Sequence, residues 1–383
     1  MGKLFIALTF FIVSSARFYS QEVAVENTLE TKLQSVVDSL TTASNYPGMV
    51  FSYVEPDGEV VSLASGHADL ESQEKMTTNH KMLSGSTGKT FVSAIAFKLM
   101  EQGKLDLYEP LKKYLEKEDW FTKIPNHETL IIKHLMNHSS GIQRYEFKPE
   151  FIEDVVKDAD RIWQPVELLQ YIFNDEPLFE AGKGYSYADT NYILLGMVIE
   201  QIAGKTFYEL LETDITTPFK LNSITPSSIK KIDGMACGYS GEENLFKFTN
   251  RSIDENGFLN NTQFEWTGGG LAFKTSDYAR WLKLLHEGKV INMRLFGGEF
   301  YDAIETNEGG KYGLGVQVFE LPQLGTLYGH MGFFPGYLTL GFYNPGTKVV
   351  GVMQINTSED EKLKGLFRNY MALMDVLIKN YKG

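Results

Sequence analysis

Ser86-Thr87-Gly88-Lys89 places a hydroxyl and an amine three residues apart where an apolar helical pattern begins. Three residues is close to one helical turn, so both side chains share a face. A serine hydroxyl attacks poorly at neutral pH unless a base takes its proton, and a lysine partly withdrawn from water can be that base. The stretch therefore reads as a nucleophile with its activator. The competing reading makes Ser86 an ordinary N-cap and Lys89 an exposed first-turn residue. Partners elsewhere in the chain decide between the two.

Hydrophobic periodicity on either side of this stretch predicts the order of elements. Before it, Leu29, Leu33, Val36, Val37 and Leu40 repeat at helical spacing within residues 28–43, and Gly48–Gly66 reads as a hairpin turning at Pro56-Asp57-Gly58. After it, Phe91, Ile95 and Leu99 mark a buried helix that stops near Gly103. Helical signals dominate from about 90 to 290: Pro165 starts a helix, Asn191–Ile202 is strongly apolar, and Thr275-Ser276-Asp277 caps a segment running to Leu285. Residues 238–268, rich in Asn, Glu and Gly, read as a long surface loop. Beyond Tyr312 the pattern alternates, giving strands at Gly313–Phe319, Leu338–Tyr343 and Lys348–Ile355, with a turn at Asn344-Pro345-Gly346 and a closing helix over about 360–380. Strands at both ends with helices between them predict an α+β fold. An antiparallel sheet assembled from both termini forms an α/β lobe (about 26–85 and 290–383) beside a mostly helical lobe (about 90–290). The cleft between the lobes is the expected site.

A hydrophobic fraction of 43% with 22% charged residues over 383 residues predicts a folded chain with a large core. Residues 1–20 carry Lys3, an apolar run from Leu4 to Val13 and then Ser14, Ser15 and Ala16, the layout of a signal peptide cleaved after Ala16 or Ser20. An uncleaved anchor is the alternative, and no later stretch is apolar enough to be a second membrane segment. The formal charge is −13, and without Lys3 and Arg17 the remainder carries −15, which repels phosphate backbones and argues against a nucleic-acid partner. Cys237 is the only cysteine, so no internal disulfide forms, and no cysteine follows the apolar run to take a lipid. A periplasmic or secreted protein is expected.

Further segments carry a resemblance. Gly103-Lys104-Leu105-Asp106-Leu107, Ile132-Lys133-His134-Leu135-Met136-Asn137-His138-Ser139-Ser140-Gly141, Tyr187-Ala188-Asp189-Thr190-Asn191-Tyr192, Gly268-Gly269-Gly270-Leu271 and Gly329-His330-Met331-Gly332 follow one another in the chain. In that order, with SxxK, the chain resembles the serine β-lactamase and penicillin-binding-protein superfamily from about residue 45 to 356, in particular its class C and D-alanyl-D-alanine carboxypeptidase branch. The resemblance implies a β-lactamase/transpeptidase-like fold, an acyl-enzyme on Ser86 and Lys89 as proton acceptor. Its Tyr-x-Asn motif falls on Tyr187-Ala188-Asp189, which implies a tyrosine, its pKa lowered by the adjacent cation, that shares the proton work. Taken alone, Tyr187 reads as a core aromatic. The third motif, Lys-Thr-Gly or His-Thr-Gly on a strand beside the cleft, falls on His330-Met331-Gly332, where glycine lets substrate backbone come close. The implied oxyanion hole is the N–H of Ser86 with that of Phe333.

Two departures limit this carry-over. Asp189 stands for asparagine: when ionised it only accepts hydrogen bonds, brings negative charge into the cleft, disfavours acidic groups nearby and raises the basicity of Lys89 or His330. Met331 stands for threonine, removing a hydroxyl from the place of a substrate carboxylate, and His330, titrating at about 6.5 when unperturbed, grips such a carboxylate less firmly than lysine. Other motifs carry less. His134 and His138 at i and i+4 suit zinc, but Leu135 stands where HExxH needs glutamate, and the segment shapes a turn instead. Ser84-Gly85-Ser86-Thr87-Gly88 starts with serine where a nucleophile elbow has glycine, and Gly268-Gly269-Gly270 lacks the lysine of a phosphate loop. The expectation is a cofactor-free and metal-free serine hydrolase acting on a small-molecule or peptide substrate, first a D-alanyl-D-alanine peptide of the cell wall. An esterase or weak β-lactamase on the same scaffold is the rival within chemistry. A non-catalytic binding protein that kept the fold is the rival from another class.

Overall fold

The computed structural model describes residues 28–382 apart from Leu245 and Glu308, so the expected leader at 1–20 lies outside the described residues. Thr28 caps the first helix, its Oγ1 accepting from the Thr31 N–H at 3.2 Å. In chain order the principal elements are α1 (Leu29–Ala43), β1 (Gly48–Val54), β2 (Val60–Asp69), α2 (Lys89–Glu101), α3 (Asp189–Ala203), α4 (Thr275–His286), β3 (Gln317–Leu321), β4 (Gly325–Phe334), β5 (Tyr337–Asn344), β6 (Val349–Ile355) and α5 (Leu366–Tyr381). The sheet has nine antiparallel strands in the order Glu74–Lys75, β2, β1, β6, β5, β4, β3, Lys311–Tyr312, Ile304–Glu305. The first and last parts of the chain meet where β1 pairs with β6, Val50 opposite Gln354. This is the expected fold class, a large antiparallel sheet flanked by helices.

Two apolar layers hold the sheet. On one face, Leu33 and Val37 of α1 and Tyr370, Leu373 and Leu377 of α5 pack with Met49, Phe51, Phe342 and Met353. The other face joins a larger cluster that runs through Phe91 and Ile95 of α2, Tyr192 and Leu195 of α3, and Tyr278 and Trp281 of α4. β1, β5 and β6 are buried along their whole length because both faces are covered.

Several local expectations change. The strand expected over Gly313–Phe319 is split into Lys311–Tyr312 and β3 by a turn in which Gly315 has φ +81°. β4 has no counterpart in the alternation pattern, since Gly325, Gly329 and Gly332 interrupt it. The closing helix breaks at Gly365, φ +84°, between Asp360–Leu363 and α5. Thr275 is already helical and does not cap α4; its hydroxyl meets that of Ser52 at 2.6 Å. Residues 238–268 are not a surface loop: Phe246, Phe248, Phe258, Phe264 and Trp266 are buried, so this irregular run is part of the core.

β4 positions the site. β3 pairs only with Gly325–Gly329, which leaves residues 330–334 unpaired on that side. On its other side β4 turns into β5 through Pro335-Gly336, with Gly332 opposite Thr339 and Phe333 opposite Leu338. In a two-residue hairpin the residues flanking the turn exchange hydrogen bonds, so Phe334, Gly332 and His330 bond to β5 while the N–H groups of Met331 and Phe333 point the other way. The Met331 N–H accordingly donates to Gln317 Oε1 at 2.8 Å.

Candidate active site

Ser86 lies in a tight 3₁₀ turn, Gly85–Gly88, that runs directly into α2. The turn is held between β4 and the Gly268–Gly270 run by backbone contacts that leave no room for side chains. A Cβ at Gly332 would stand 2.0 Å from the Ser84 carbonyl oxygen, one at Gly85 2.5 Å from Phe333 N, and one at Gly88 2.7 Å from Gly269 Cα. The Ser84 hydroxyl donates to the Gly269 carbonyl, fixing the turn from the other side. Gly332 thus admits the nucleophile's own turn. Ser86 itself is partly exposed, at a helix N-terminus, and the free Phe333 N–H faces this turn.

Lys89 is completely buried. Its Nζ contacts Ser86 Oγ at 3.1 Å, Asp189 Oδ1 and the Gly268 carbonyl oxygen. The three partners account for all four substituent directions of the nitrogen together with its own Cε. Asp189 opens α3, so helix geometry aims its carboxylate at Lys89, and its N–H donates to Glu146 Oε1 at 3.4 Å. Asp189, expected to meet substrate, engages Lys89 through Oδ1.

Tyr187 is brought to the same place. Lys89 Nζ lies 4.9 Å from the centre of its ring, over the face. The phenol oxygen is buried and lacks a formed hydrogen bond; the nearby Ser86 hydroxyl favours the phenolate, but burial and the Asp189 charge outweigh it and push the pKa well above 10. This corrects the expectation of a phenol acidified by the adjacent cation: Tyr187 is held protonated.

His330 is buried with Nδ1 2.5 Å from the Met331 carbonyl oxygen and Nε2 2.8 Å from Tyr312 Oη. A carbonyl can only accept, so Nδ1 carries the proton and Nε2 accepts from the tyrosine. Burial, reinforced by the Lys89 charge, pushes its pKa down to about 3. The side chain is neutral, which corrects its expected role as a partial cation for a substrate carboxylate and the expectation that Asp189 favours its protonation. Met331 packs against the apolar layer beneath α1 and α5. Its expected place among substrate contacts is corrected for the same reason: its side chain serves that layer.

Residues without a motif complete the site. Glu146 is buried, binds Arg144 Nε at 2.7 Å, and is raised in pKa by burial and by Asp189. Glu265 is buried nearby, and burial with the charge of Asp189 raises its carboxyl well above the usual range. Their only sequence signal is a charged residue among aromatics, as in Arg144-Tyr145-Glu146-Phe147. Arg144, stacked 4.0 Å from the Phe147 ring centre, and Phe333 line a cavity of about 770 Å³ whose other walls include Phe246, Glu242 and Asp360. His134 and His138 have separate surroundings: the His134 ring takes the Ile131 N–H at 3.4 Å and His138 the Ala188 N–H at 3.2 Å. No group of three or more potential metal ligands occurs among the described residues, and no helix among them is long and apolar enough to cross a membrane.

The chain is 24% identical over 327 residues to penicillin-binding protein 4* of Bacillus subtilis (strain 168), covering 80% of this chain and 67% of that protein. It is 24% identical over 352 residues to teichoic acid D-alanine hydrolase of Staphylococcus aureus, covering 91% and 80%. The D-amino acid amidase of Ochrobactrum anthropi SV3 shares the fold, with a TM-score of 0.79 over 93% of this chain and 99% of that one at 20% identity. The beta-lactamase family model matches residues 33–372, and with that span the chain belongs to the beta-lactamase family, within the serine β-lactamase and penicillin-binding-protein superfamily of hydrolases.

Proposed function

We propose that this protein is a serine hydrolase that forms an acyl-enzyme on Ser86 and releases it to water, cleaving an ester or amide of an amino acid whose ammonium is free. The observation that carries the catalytic reading is the environment of Lys89 Nζ. Nζ donates to Asp189 Oδ1, the Gly268 carbonyl and Ser86 Oγ at 3.1 Å; in the reacting form, one proton fewer, two N–H groups keep the first two acceptors and the lone pair faces the Ser86 hydroxyl. When Ser86 attacks, its proton moves to Lys89 without displacement of any heavy atom, and Asp189 stabilises the ammonium that results. The oxyanion forms between the N–H groups of Ser86 and Phe333; each such donor contributes on the order of 10²–10³ in rate. The neutral Tyr187 phenol protonates the leaving nitrogen or oxygen and is recharged from Lys89. In deacylation the same groups act in reverse, with water in place of the leaving group.

The substrate reading rests on charge. A peptide ending in a free carboxylate needs a cation or hydroxyl beside the third motif. His330 is neutral and held by Tyr312, and Met331 has no hydroxyl. Arg144, the cation at the adjoining cavity, is bound to Glu146, so no unpaired cation is offered to a carboxylate there, and Asp189, bound to Lys89, is an acidic residue close to Ser86. These features favour an aminoacyl ester or amide over the D-alanyl-D-alanine peptide expected first. The names of two similar proteins, a teichoic acid D-alanine hydrolase and a D-amino acid amidase, support the same chemical class. If residues 1–20 direct export, such esters of the cell envelope are within reach.

Mass spectrometry after fluorophosphonate treatment tests the nucleophile: wild type gains one adduct and Ser86→Ala none. Turnover of D-alanine p-nitroanilide, a D-alanyl ester, nitrocefin and a D-alanyl-D-alanine peptide tests the substrate class, with the first two at least tenfold ahead in kcat/KM. A peptide preference sinks the charge argument. Absence of any adduct sinks the catalytic one.

A further inference from the structure

His138 is a buried group beside Tyr187 that the chemistry above leaves unused. It is fully buried and adopts φ +59°, a left-handed conformation that costs a non-glycine residue about 1–2 kcal/mol. Strain of this kind persists where surrounding contacts demand it. Here the contacts converge on the residues around Tyr187, nearly fifty positions away. The His138 carbonyl accepts from the Ser186 N–H at 3.0 Å, its Nδ1 accepts from the Ala188 N–H at 3.2 Å, and its ring lies against the Tyr187 ring, centres 4.1 Å apart and planes 35° apart. Residues 186, 187 and 188 are each held by a different part of one histidine.

The tautomer follows from the same network. Asn191 Oδ1 accepts from the Ser140 hydroxyl at 2.6 Å, which leaves Asn191 Nδ2 to donate to His138 Nδ1 at 3.1 Å. Two N–H groups donate to Nδ1, so the ring proton is on Nε2. The groups around the ring are Lys89, Arg144, His330 and the aromatic rings of Tyr185, Tyr187, Tyr192 and Tyr312; burial and the positive charges hold its pKa well below 6.5. The neutral ring is the form that these surroundings favour.

We infer that His138 is a positioning residue for acyl transfer: as the Nε2–H tautomer it clamps the backbone on both sides of Tyr187 and supports the phenol ring from behind, aiming its hydroxyl at Ser86. The inference rests on the proposed role of Tyr187 and assigns His138 no contact with substrate.

The test uses intact protein with active sites counted by phosphonate titration. His138→Gly removes the ring yet keeps the left-handed backbone without strain, and His138→Asn keeps both that backbone and an acceptor in place of Nδ1. For a D-alanyl ester, the expected result is a fall in kcat per titrated site of about 100-fold in His138→Gly with KM changed less than threefold, and at least tenfold recovery in His138→Asn. A purely structural histidine would lower the yield of titratable sites but not kcat per site. Equal kcat in both variants, or a loss under threefold in His138→Gly, overturns the inference. Should the glycine variant fail to fold, ¹⁵N-histidine spectra of the wild type decide: an Nε2–H signal for His138, constant from pH 5 to 9, supports the clamp, and Nδ1–H or titration in that range overturns it. Ser86→Ala separates this from the reading beneath it, since activity surviving there removes the catalytic proposal whatever His138 does.

Discussion

Gly332 and Ser84 approach so closely that a Cβ on the glycine would stand 2.0 Å from the serine carbonyl oxygen and 3.0 Å from Thr87 Cγ2. The third motif and the nucleophile's turn are one packed unit, and its tolerance is less than one methyl group. Gly332→Ala is therefore expected to cost about 1–3 kcal/mol of stability by overpacking. It should also cost about 100-fold in kcat/KM, because a shift of about 1 Å in the reacting group suffices for that. Gly103→Ala is the control: its φ of +67° makes it strained too, but open space surrounds it, so stability falls while kcat/KM stays within twofold. Denaturant melts and steady-state kinetics on both variants check this.

Asp189 and Lys89 form a pair in which the lysine is fully buried and the aspartate side chain is 13% exposed. Removing one partner from such a pair costs about 3–5 kcal/mol, since the other charge is left uncompensated. Asp189→Ala should lose stability of that order. Asp189→Asn, which restores the superfamily's usual residue and keeps an acceptor, should lose less than half as much. Urea denaturation at pH 7 distinguishes them, and equal losses would show that Lys89 depends on the charge of Asp189 and gains nothing from a neutral acceptor there.

The legibility of this site in the sequence is uneven for physical reasons. Ser86 and Lys89 are legible because a helix turn brings i and i+3 together whatever the rest of the chain does. α1, β1 and α3 are legible because their apolar periods are long and regular. β4 is not, because the glycines that let it approach Ser84 and Phe342 remove the side chains that would show alternation: a Cβ at Gly329 would lie 2.8 Å from Phe342 Cα. His330 and Met331 were assignable by resemblance, but their burial and charge state depend on Tyr312 and on the layer under α5. Glu146 and Glu265 are set beside Asp189 by chain crossings that no local pattern records. The aromatic residues of 238–268 are core residues in a segment without period, so composition points to solvent and packing to the interior.

His286 offers a pH test away from the site. It is buried among Phe300, Tyr301, Tyr328 and Tyr343, and burial pushes its pKa down to about 3. Between pH 6.5 and 3 the unfolded chain binds a proton there and the folded chain does not, so stability falls as pH drops through that window, by up to about 1.4 kcal/mol per unit. Above pH 6.5 the contribution is constant. Glu146 and Glu265, raised in pKa, act in the opposite sense as they take up protons in the folded state. They cancel when His286→Phe is compared with wild type. The variant's stability should fall less steeply, by close to one proton, between pH 6 and 4, and parallel curves would contradict the burial argument.

Tyr187 separates function from stability. Its hydroxyl is buried without a formed hydrogen bond, so the folded state carries the desolvation cost of that group, typically about 1–3 kcal/mol, with little return. Tyr187→Phe removes the hydroxyl and keeps the ring that lies against His138 and under Lys89. The melting temperature should stay level or rise. Loss of the proton donor should lower kcat by about 10²–10⁴, the usual range for general acid–base catalysis. Leaving-group dependence provides the sharper check: p-nitrophenyl esters, whose leaving group needs no proton, should lose less than alkyl esters or amides. A uniform loss across leaving groups would assign Tyr187 to shaping the pocket, and a lower melting temperature would mean that its hydroxyl has a partner in the folded state after all.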